Sequence, residues 1–279
     1  MKRLIFSIAL FSFFISCEEI PPLVTGSMGT VEPPAVSEQK RQVLVEEFTG
    51  VRCVNCPAGS AIIEDLLVAN SPQLIAVSIH AGDFSIPYSQ SLYDFTTTEG
   101  SSILSYVGEP FGYPTAVVNR KKFDGEFDLQ LGQAQWAGFV LQEKAPDPVV
   151  KIDIEPSFDA ASRDLQVKVK LFVQEEIAEP DVRLSIMITE SGIQDYQLTP
   201  ASPDPKPDYV HKHVLRGMLT PYDGVPLTET LSAGAVVSKT FDYVLPAGWK
   251  EENCKVIAFI SLAGEKKDVL QAHEVEVIE

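Results

Sequence analysis

Two cysteines, Cys53 and Cys56, are separated by only two residues at the point where a strand-like run passes into a helix-like run. A helix N-terminus presents free N–H groups and a positive dipole end, which can lower the pKa of a thiol from ~8.5 to ~3.5–7.5. The positive charge of Arg52 would stabilise the same thiolate if its side chain faced the sulfur. The spacing predicts an exposed attacking thiol at Cys53 and a resolving thiol at Cys56, which can close on each other.

The cysteine pair has two other interpretations, an inert structural disulfide and half of a zinc site. A zinc site needs two further ligands, and no second C-x-x-C or paired histidine lies nearby in the sequence. His211 and His213 are expected on one face of a strand, but no third ligand is identifiable, so we expect no metal. The structural disulfide stays open beside the redox-active dithiol, which the pattern favours.

Two further residues have side chains that can do chemistry. His80 ends a predicted strand, where it can exchange protons with the dithiol or, as we favour, serve in a cap or loop. Cys254 lies in an apolar run, which predicts a buried small hydrophobic residue. Pairing of Cys254 with a cysteine of a partner is the alternative.

The elements that must position the cysteines have the order of an α/β unit. Apolar runs at 43–48, 74–79 and 113–119 predict strands, and the run at 74–79 is continuous, as in a buried parallel strand. Apolar residues at three- and four-residue spacing predict a helix over 57–70, and 129–143 also has a helical pattern. The cysteine pair therefore sits between the first strand and the first helix.

Residues 147–279 have a different pattern, with short, β-branched, often alternating runs and no convincing helix. This pattern predicts an immunoglobulin-like β-sandwich. The segment 199–208 has four prolines in ten residues and is predicted to be a loop. The predicted strands lie at 149–154, 164–173, 182–189, 209–215, 236–245, 254–262 and 269–278.

The N-terminus has the pattern of a bacterial lipoprotein leader. A basic start is followed by an apolar run of twelve residues, too short for a membrane helix of ~20, so 1–16 is predicted as a signal peptide. Ser16 directly before Cys17 resembles a lipobox, which predicts lipidation of Cys17; an ordinary cleaved signal is the alternative. Residues 17–42 lack periodicity and are predicted to be a flexible tether.

The charge and the missing motifs exclude several classes of function. With 22 Lys and Arg against 39 Asp and Glu, the formal net charge is −17. Nucleic-acid binding relies on basic residues that neutralise phosphate, so this acidic chain has no footprint for it. The sequence contains no Gly-rich phosphate loop, G-x-S-x-G or H-E-x-x-H. A dithiol carries electrons itself, and we therefore expect no cofactor.

Three features together resemble the thioredoxin-like family: the C-x-x-C-Pro run at 53–57, Glu47 on the preceding strand, and Tyr113-Pro114 before a later strand. The resemblance implies that Glu47 is a buried carboxylate that relays protons to the inner cysteine. It also implies that Pro114 is a cis-proline beside the dithiol, although only ~5–6% of X-Pro bonds are cis. Tyr113 and Arg52 are then candidate substrate contacts.

The segment 81–112 is longer than a minimal thioredoxin needs. In parallel α/β sheets, ligand sites lie beyond the C-terminal ends of the strands, so an insertion after the strand at 74–79 emerges on the dithiol side. We therefore expect 81–112 to form a lid or specificity wall. Its candidate contacts are Tyr88, Tyr93, Phe95 and Phe111.

A closer resemblance covers nearly the whole chain after the leader. The runs at 45–59, 114–120 and 209–216 resemble the twenty-eight-kilodalton outer-membrane lipoprotein family of Bacteroidetes-type bacteria. The resemblance implies a lipid-anchored protein of the cell envelope and outer membrane. It also implies a thioredoxin-like domain over 43–146 and a C-terminal β domain over 147–279.

These observations predict thiol–disulfide exchange on unfolded or disulfide-bonded envelope proteins, with a membrane contact through the lipid anchor. Cys53 attacks, Cys56 resolves, Glu47 assists proton movement, and Pro114 with Tyr113 presents the substrate backbone. The alternative is a surface binding or adhesion lipoprotein whose dithiol is vestigial. The central Val-Asn dipeptide leaves the redox direction open.

Overall fold

The computed structural model describes residues 38–278, so the predicted signal peptide over 1–16 and the lipidation site Cys17 lie outside the described residues. Within the described part, no helix is both long enough and apolar enough to cross a membrane. Gln39, near the end of the segment predicted as a tether, is hydrogen-bonded to a strand of the folded chain. Its Nε2 atom donates to the carbonyl of Ile152 at 2.8 Å.

The first elements of the described chain alternate between strand and helix. They are β1 (Val43–Thr49), α1 (Cys56–Asn70), β2 (Leu74–His80), α2 (Thr98–Val107), β3 (Thr115–Val118) and α3 (Gln133–Glu143). β1 and β2 are parallel neighbours, and β3 lies antiparallel to β1 on its other side. Every residue of β1 and β2 is buried, because apolar clusters cover both faces of this part of the sheet. Burial on both faces explains their continuous apolar runs.

The segment 81–112 contains a helix that the sequence did not indicate clearly. α2 begins after Thr97, whose hydroxyl accepts a hydrogen bond from the backbone N–H of Gly100 at 2.9 Å. Such a cap satisfies one of the free N–H groups in the first turn. The inserted segment is therefore partly regular, and its helix packs on the core through residues such as Ile103.

The second half of the described chain is rich in strands, as the sequence predicts. Its strands are β4 (Val150–Phe158), β5 (Asp164–Val173), β6 (Val182–Glu190), β7 (Ile193–Thr199), β8 (Ser202–His211), β9 (Val214–Met218), β10 (Val225–Pro226), β11 (Val236–Val244), β12 (Cys254–Leu262) and β13 (Val269–Glu276). The three-stranded sheet β11–β5–β4 packs on strands β6 and β12 of a larger sheet. Val, Ile and Leu side chains from both sheets fill the space between them.

The prediction of a loop at 199–208 is wrong. β8 pairs antiparallel with β7 in a separate two-stranded sheet, which we call the β7–β8 hairpin, residues 193–211. The prolines of β8 are tolerated because this strand is mostly exposed and has one unpaired edge. A proline lacks the N–H that a central strand would need, and an edge strand does not need it.

One sheet contains strands from both sides of residue 146. Its order is β13–β12–β6–β9–β2–β1–β3, with β10 beside β6. β9 joins the two halves, because it pairs parallel with β2 at Ser78 and Val214 and antiparallel with β6. The described residues lie in one compact unit. The division into domains at 146/147 stays a prediction.

A buried ion pair lies close to this junction. Arg120 Nη2 and Nε lie 2.7 and 2.8 Å from the two carboxylate oxygens of Glu46, and both side chains are at most 1% exposed. The same guanidinium lies 4.9 Å from the centre of the Phe259 ring in β12. Arg120 thus links β1 of the first half to β12 of the second.

Candidate functional site

The disulfide between Cys53 and Cys56 lies at the start of α1. The backbone N–H of Cys53 donates to the carbonyl of Gly50 at 3.0 Å, which closes a turn directly after β1. Cys56 is the first residue of the helix, and Pro57 follows it in the first turn. Proline suits this position because the first N–H groups of a helix have no partner within the helix. The pairing that the spacing suggested is present.

The prediction of an exposed attacking thiol is wrong for this structure. Cys53 is 3% exposed and Cys56 is 1% exposed. Between them, Val54 is 39% exposed, so the loop reaches the surface through its central residues rather than through sulfur. Sequence spacing placed the cysteines on the loop correctly but could not show which distant segments cover them.

Arg52 binds the inserted segment next to the disulfide loop. Its Nε donates to the carbonyl of Ile86 at 2.6 Å, and its Nη2 donates to the carbonyl of Pro87 at 2.8 Å. The guanidinium also lies 4.4 Å from the centre of the Tyr88 ring. Arg52 therefore fixes the insertion beside the cysteines, and its predicted contact with substrate stays a prediction.

Glu47 is buried on β1 under the start of α1. Its carboxyl oxygens accept hydrogen bonds from the Ser60 hydroxyl at 3.3 Å and from the Ser78 hydroxyl at 3.2 Å. Burial raises the pKa of Glu47 to about 8, although the two hydroxyl hydrogen bonds act in the opposite direction. This carboxyl group is therefore mostly protonated at neutral pH, and it can both give and take a proton there.

Pro114 and Glu47 meet at the same turn of α1. The Tyr113–Pro114 peptide bond is cis, which confirms the expectation drawn from the family resemblance. A methyl group added at Gly59 would lie 2.7 Å from Pro114 Cγ and 2.9 Å from Glu47 Oε1. The Tyr113 hydroxyl donates to the carbonyl of Ala81 at 3.0 Å, and its predicted contact with substrate stays a prediction. The fold thus brings Pro114 to Glu47 and the start of α1, although Pro114 lies far from both in the sequence.

Three of the four aromatic residues proposed for the insertion, Tyr88, Tyr93 and Phe95, pack in one hydrophobic cluster. Tyr88 stacks under Arg52, and Tyr93 stacks on the buried Phe95 with ring centres 6.0 Å apart. Phe111 is 92% exposed and takes no part in this packing. The first half of the segment therefore packs beside the disulfide loop, and its role as a lid or specificity wall stays a prediction.

His211 and His213 do not share a strand face, contrary to prediction. His211 ends β8, while His213 has a positive φ of 54° outside any strand, so the alternation of a strand does not apply. His213 Nε2 lies 2.9 Å from a carboxylate oxygen of Glu64. His211 instead lies 5.6 Å, between ring centres, from His80.

The two buried imidazoles, His80 and His211, stay neutral. Burial lowers the pKa of His80 well below its usual value and lowers that of His211 to about 4. Both line a cavity of ≈ 400 Å³ that also contacts Glu47 and Cys56. His80 is thus placed beside the dithiol region, whereas a cap or loop role was favoured from sequence.

The β7–β8 hairpin supplies a functional residue that sequence reasoning missed. Gln197 Nε2 donates to the carbonyl of Cys53 at 3.0 Å and to that of Gly50 at 3.3 Å. The backbone N–H of Leu198 donates to the carbonyl of Val51 at 2.8 Å. No local pattern marks Gln197, because its partners lie more than one hundred residues earlier in the chain.

Cys254 is a free, buried cysteine, as predicted. Burial raises the pKa of its thiol to about 12, so it stays protonated and unreactive at neutral pH. The side chain belongs to the apolar core between the two large sheets. Cys254 is therefore a suitable internal control for experiments on the other two cysteines.

Comparisons with known proteins concern both sequence and fold. Residues 106–279 match the model of the family described as outer membrane protein Omp28. The fold is similar to HBP35 of Porphyromonas gingivalis, with a TM-score of 0.68, 16% identity, and coverage of 85% of this chain and 76% of that one. It is also similar to protein AGR_C_4864 from Agrobacterium tumefaciens, with a TM-score of 0.54, 12% identity, and coverage of 87% and 97%. None of the curated proteins matches this sequence.

Proposed function

The chain belongs to the Omp28 outer membrane protein family, and from this premise we propose that it performs thiol–disulfide exchange on other proteins of the cell envelope. The region 43–146 acts as a thioredoxin-like domain, and lipidation at Cys17 holds the protein at the outer membrane. The partners are unfolded or disulfide-bonded envelope proteins. No further cofactor enters the exchange, because the cysteine pair carries the electrons.

One observation carries the proposal: the disulfide, the protonated Glu47 and the cis-proline meet at the first turns of one helix. A methyl group added at Gly59 would lie within 3 Å of both Pro114 Cγ and Glu47 Oε1, so both side chains lie against the same position of the helix. A buried carboxyl group with a pKa of about 8 is costly to maintain and is typical of sites that move protons. A purely structural disulfide has no need of such a neighbour.

The exchange starts from the disulfide form that the structure holds. A thiolate of the partner attacks Cys53 Sγ, a new S–S bond forms, and the Cys53–Cys56 bond breaks with its electron pair on Cys56. Glu47 supplies the proton that the Cys56 thiolate takes up. A second partner thiolate attacks the mixed disulfide, and Cys53 leaves and takes a proton from water. The partner is oxidised to a disulfide, and the chain is reduced to a dithiol.

A second function, surface binding with a vestigial dithiol, is favoured by a different observation. Both sulfur-bearing residues are almost fully buried, at 3% and 1% exposure. An exchange enzyme must expose at least one sulfur to its partner during the reaction. The two functions therefore differ in whether the cover over the disulfide opens.

Trapping of partners separates the two functions. Exchange is reversible, so in a Cys56→Ser variant the free Cys53 thiolate attacks the disulfide of a partner, which is the reverse of the last step above. The mixed disulfide then persists, because Cys56 is no longer present to displace the partner from Cys53. Exchange predicts such adducts in the envelope fraction, together with peptide disulfide reduction by the wild type above the rate of a free thiol. The matched control is Cys254→Ser, which should leave both readouts unchanged. Absence of adducts and of excess reduction would refute the exchange function.

A further inference from the structure

The β7–β8 hairpin attaches to the disulfide loop through a side chain and a backbone group. The side chain of Gln197 donates hydrogen bonds to the carbonyl groups of Gly50 and Cys53, and the backbone N–H of Leu198 donates to that of Val51. These three acceptors all lie in the turn that carries the first cysteine. The hairpin thus lies against the backbone of the disulfide loop, in which Cys53 is 3% exposed.

A second attachment joins the same hairpin to the inserted segment. The carboxylate of Asp195 accepts the backbone N–H groups of Leu92 at 3.1 Å and Tyr93 at 2.8 Å. Asp195 is 1% exposed and Gln197 is 2% exposed. Hydrogen bonds to a charged acceptor are about twice as strong as neutral ones. The hairpin is therefore attached both to the disulfide loop and to the insertion.

The hairpin is a separate element that forms no backbone ladder with the rest of the described fold. It pairs with neither of the other two sheets, and a two-stranded hairpin alone is at best marginally stable. Gly192 and His213 flank it, and both have positive φ, 77° and 54°. Its position therefore depends on contacts with the rest of the fold, which are the hydrogen bonds of Asp195 and Gln197 and the packing of Ile193 and His211 against Phe95.

We infer that the β7–β8 hairpin determines which partners reach the disulfide, with Gln197 as the positioning residue that holds it closed. This inference rests on the proposed exchange function. When the hairpin is closed, protein-sized dithiols cannot reach Cys53. When it opens, the loop from Gly50 to Cys53 frees backbone carbonyls that an extended partner segment can occupy in place of Gln197.

The size of the reductant provides the test. The rate of reduction of the chain's own disulfide is measured with a small phosphine, TCEP, and with a thioredoxin-sized dithiol protein. In the Gln197→Ala variant, the rate of reduction by the protein reductant should rise on the order of tenfold. This is the expected effect on an opening equilibrium when about one buried hydrogen bond is lost. The rate of reduction by TCEP should rise much less, so the ratio of the two rates changes. A shift in reduction potential alone would not change this ratio.

The matched control is Gln194→Ala, because Gln194 lies on the same strand with its side chain exposed. This variant should leave the ratio unchanged. Asp195→Asn weakens the other attachment and should shift the ratio in the same direction as Gln197→Ala. An unchanged ratio in both attachment variants would overturn the inference.

Failure of the proposed function is distinguishable from failure of this inference. The rate ratio reports on access to the chain's own disulfide and needs no natural partner. If trapping finds no partners but the ratio shifts, the hairpin still covers the disulfide and the exchange function fails. If trapping succeeds and the ratio does not shift, the exchange function holds and the hairpin does not select partners.

Discussion

The region around the disulfide and the β-sandwich region have cores of opposite character. The core between the sheets β11–β5–β4 and β6–β12 consists mainly of Val, Ile and Leu. Strands β1 and β2, by contrast, bury the polar groups Glu46, Glu47, Ser78 and His80. Burying a charge costs much unless it is paired or neutralised. Glu46 is paired with Arg120, and Glu47 is neutralised by its raised pKa.

The contrast indicates a division of labour. An apolar core needs no partner for each side chain, and it can hold the long strands that present the β7–β8 hairpin. In the polar core, the burial of groups that can move protons lowers the stability of the fold. Four substitutions test this contrast, and they are given in order of decreasing expected effect.

The largest effect is expected from Glu46→Ala. The change leaves the guanidinium of Arg120 buried and unpaired, which typically costs about 3–5 kcal/mol. Urea unfolding with the disulfide intact should show this loss in the free energy of unfolding. A double variant, Glu46→Met with Arg120→Met, should recover most of it, since buried pairs are often replaceable by apolar residues. A loss below about 1 kcal/mol in Glu46→Ala would show that the polar core does not depend on this pair.

The next effect concerns pH and Glu47. The folded state holds the proton of Glu47 up to a pKa of about 8, against 4.5 in the unfolded chain. This group therefore contributes stability below pH 4.5, and the contribution is lost as the pH rises from 4.5 to 8. Glu47→Gln removes this dependence. The unfolding free energy of the variant should rise relative to the wild type by about 3 kcal/mol between pH 5 and pH 8.

Parallel pH curves for the wild type and Glu47→Gln would contradict the assignment of a raised pKa. The comparison uses the difference between two proteins, so other titrating groups cancel from it. The same variant should slow proton-dependent disulfide exchange without preventing the formation of the disulfide.

A smaller effect on stability is expected when a glycine in a helix is replaced by alanine, and its sign should differ between two positions. At Gly59, an added methyl group would lie 2.7 Å from Pro114 Cγ, so Gly59→Ala forces the polar core apart. Overpacking costs about 1–3 kcal/mol and outweighs the gain of up to about 1 kcal/mol in helix propensity. The control is Gly138→Ala in α3, where nothing lies within 4 Å of the added group. Thermal unfolding should show destabilisation for the first variant and slight stabilisation for the second.

The smallest effect is expected in the sandwich core. Ile186 on β6 is fully buried, and Ile186→Val removes one methylene group. The expected loss is about 0.5–1.5 kcal/mol, because the site loses apolar contact and gains a small cavity. The loss should be the same at pH 5 and pH 8. A marked pH dependence would mean that the two cores are coupled, which would weaken the contrast.

Much of the secondary structure was predictable from local patterns. The predicted strand over 74–79 corresponds to β2 (Leu74–His80), and the predicted helix over 57–70 corresponds to α1 (Cys56–Asn70). The predictions failed where tertiary contacts override composition, as at 199–208, where an edge position makes prolines compatible with a strand. The prediction for His213 was wrong for a similar reason, because His213 itself has a left-handed backbone conformation that interrupts the predicted strand.

The sequence by itself determined the position of the cysteine pair between a strand and a helix. It also determined the acidic balance and the periodic burial of most strands and helices. These properties depend on neighbours within one or two turns of the chain, so residue types and spacing record them. Only the tertiary structure decided that both cysteines are buried and that Gln197 binds the carbonyl of Cys53. It also decided that Glu47 is protonated, because the desolvation that raises its pKa comes from segments far apart in sequence.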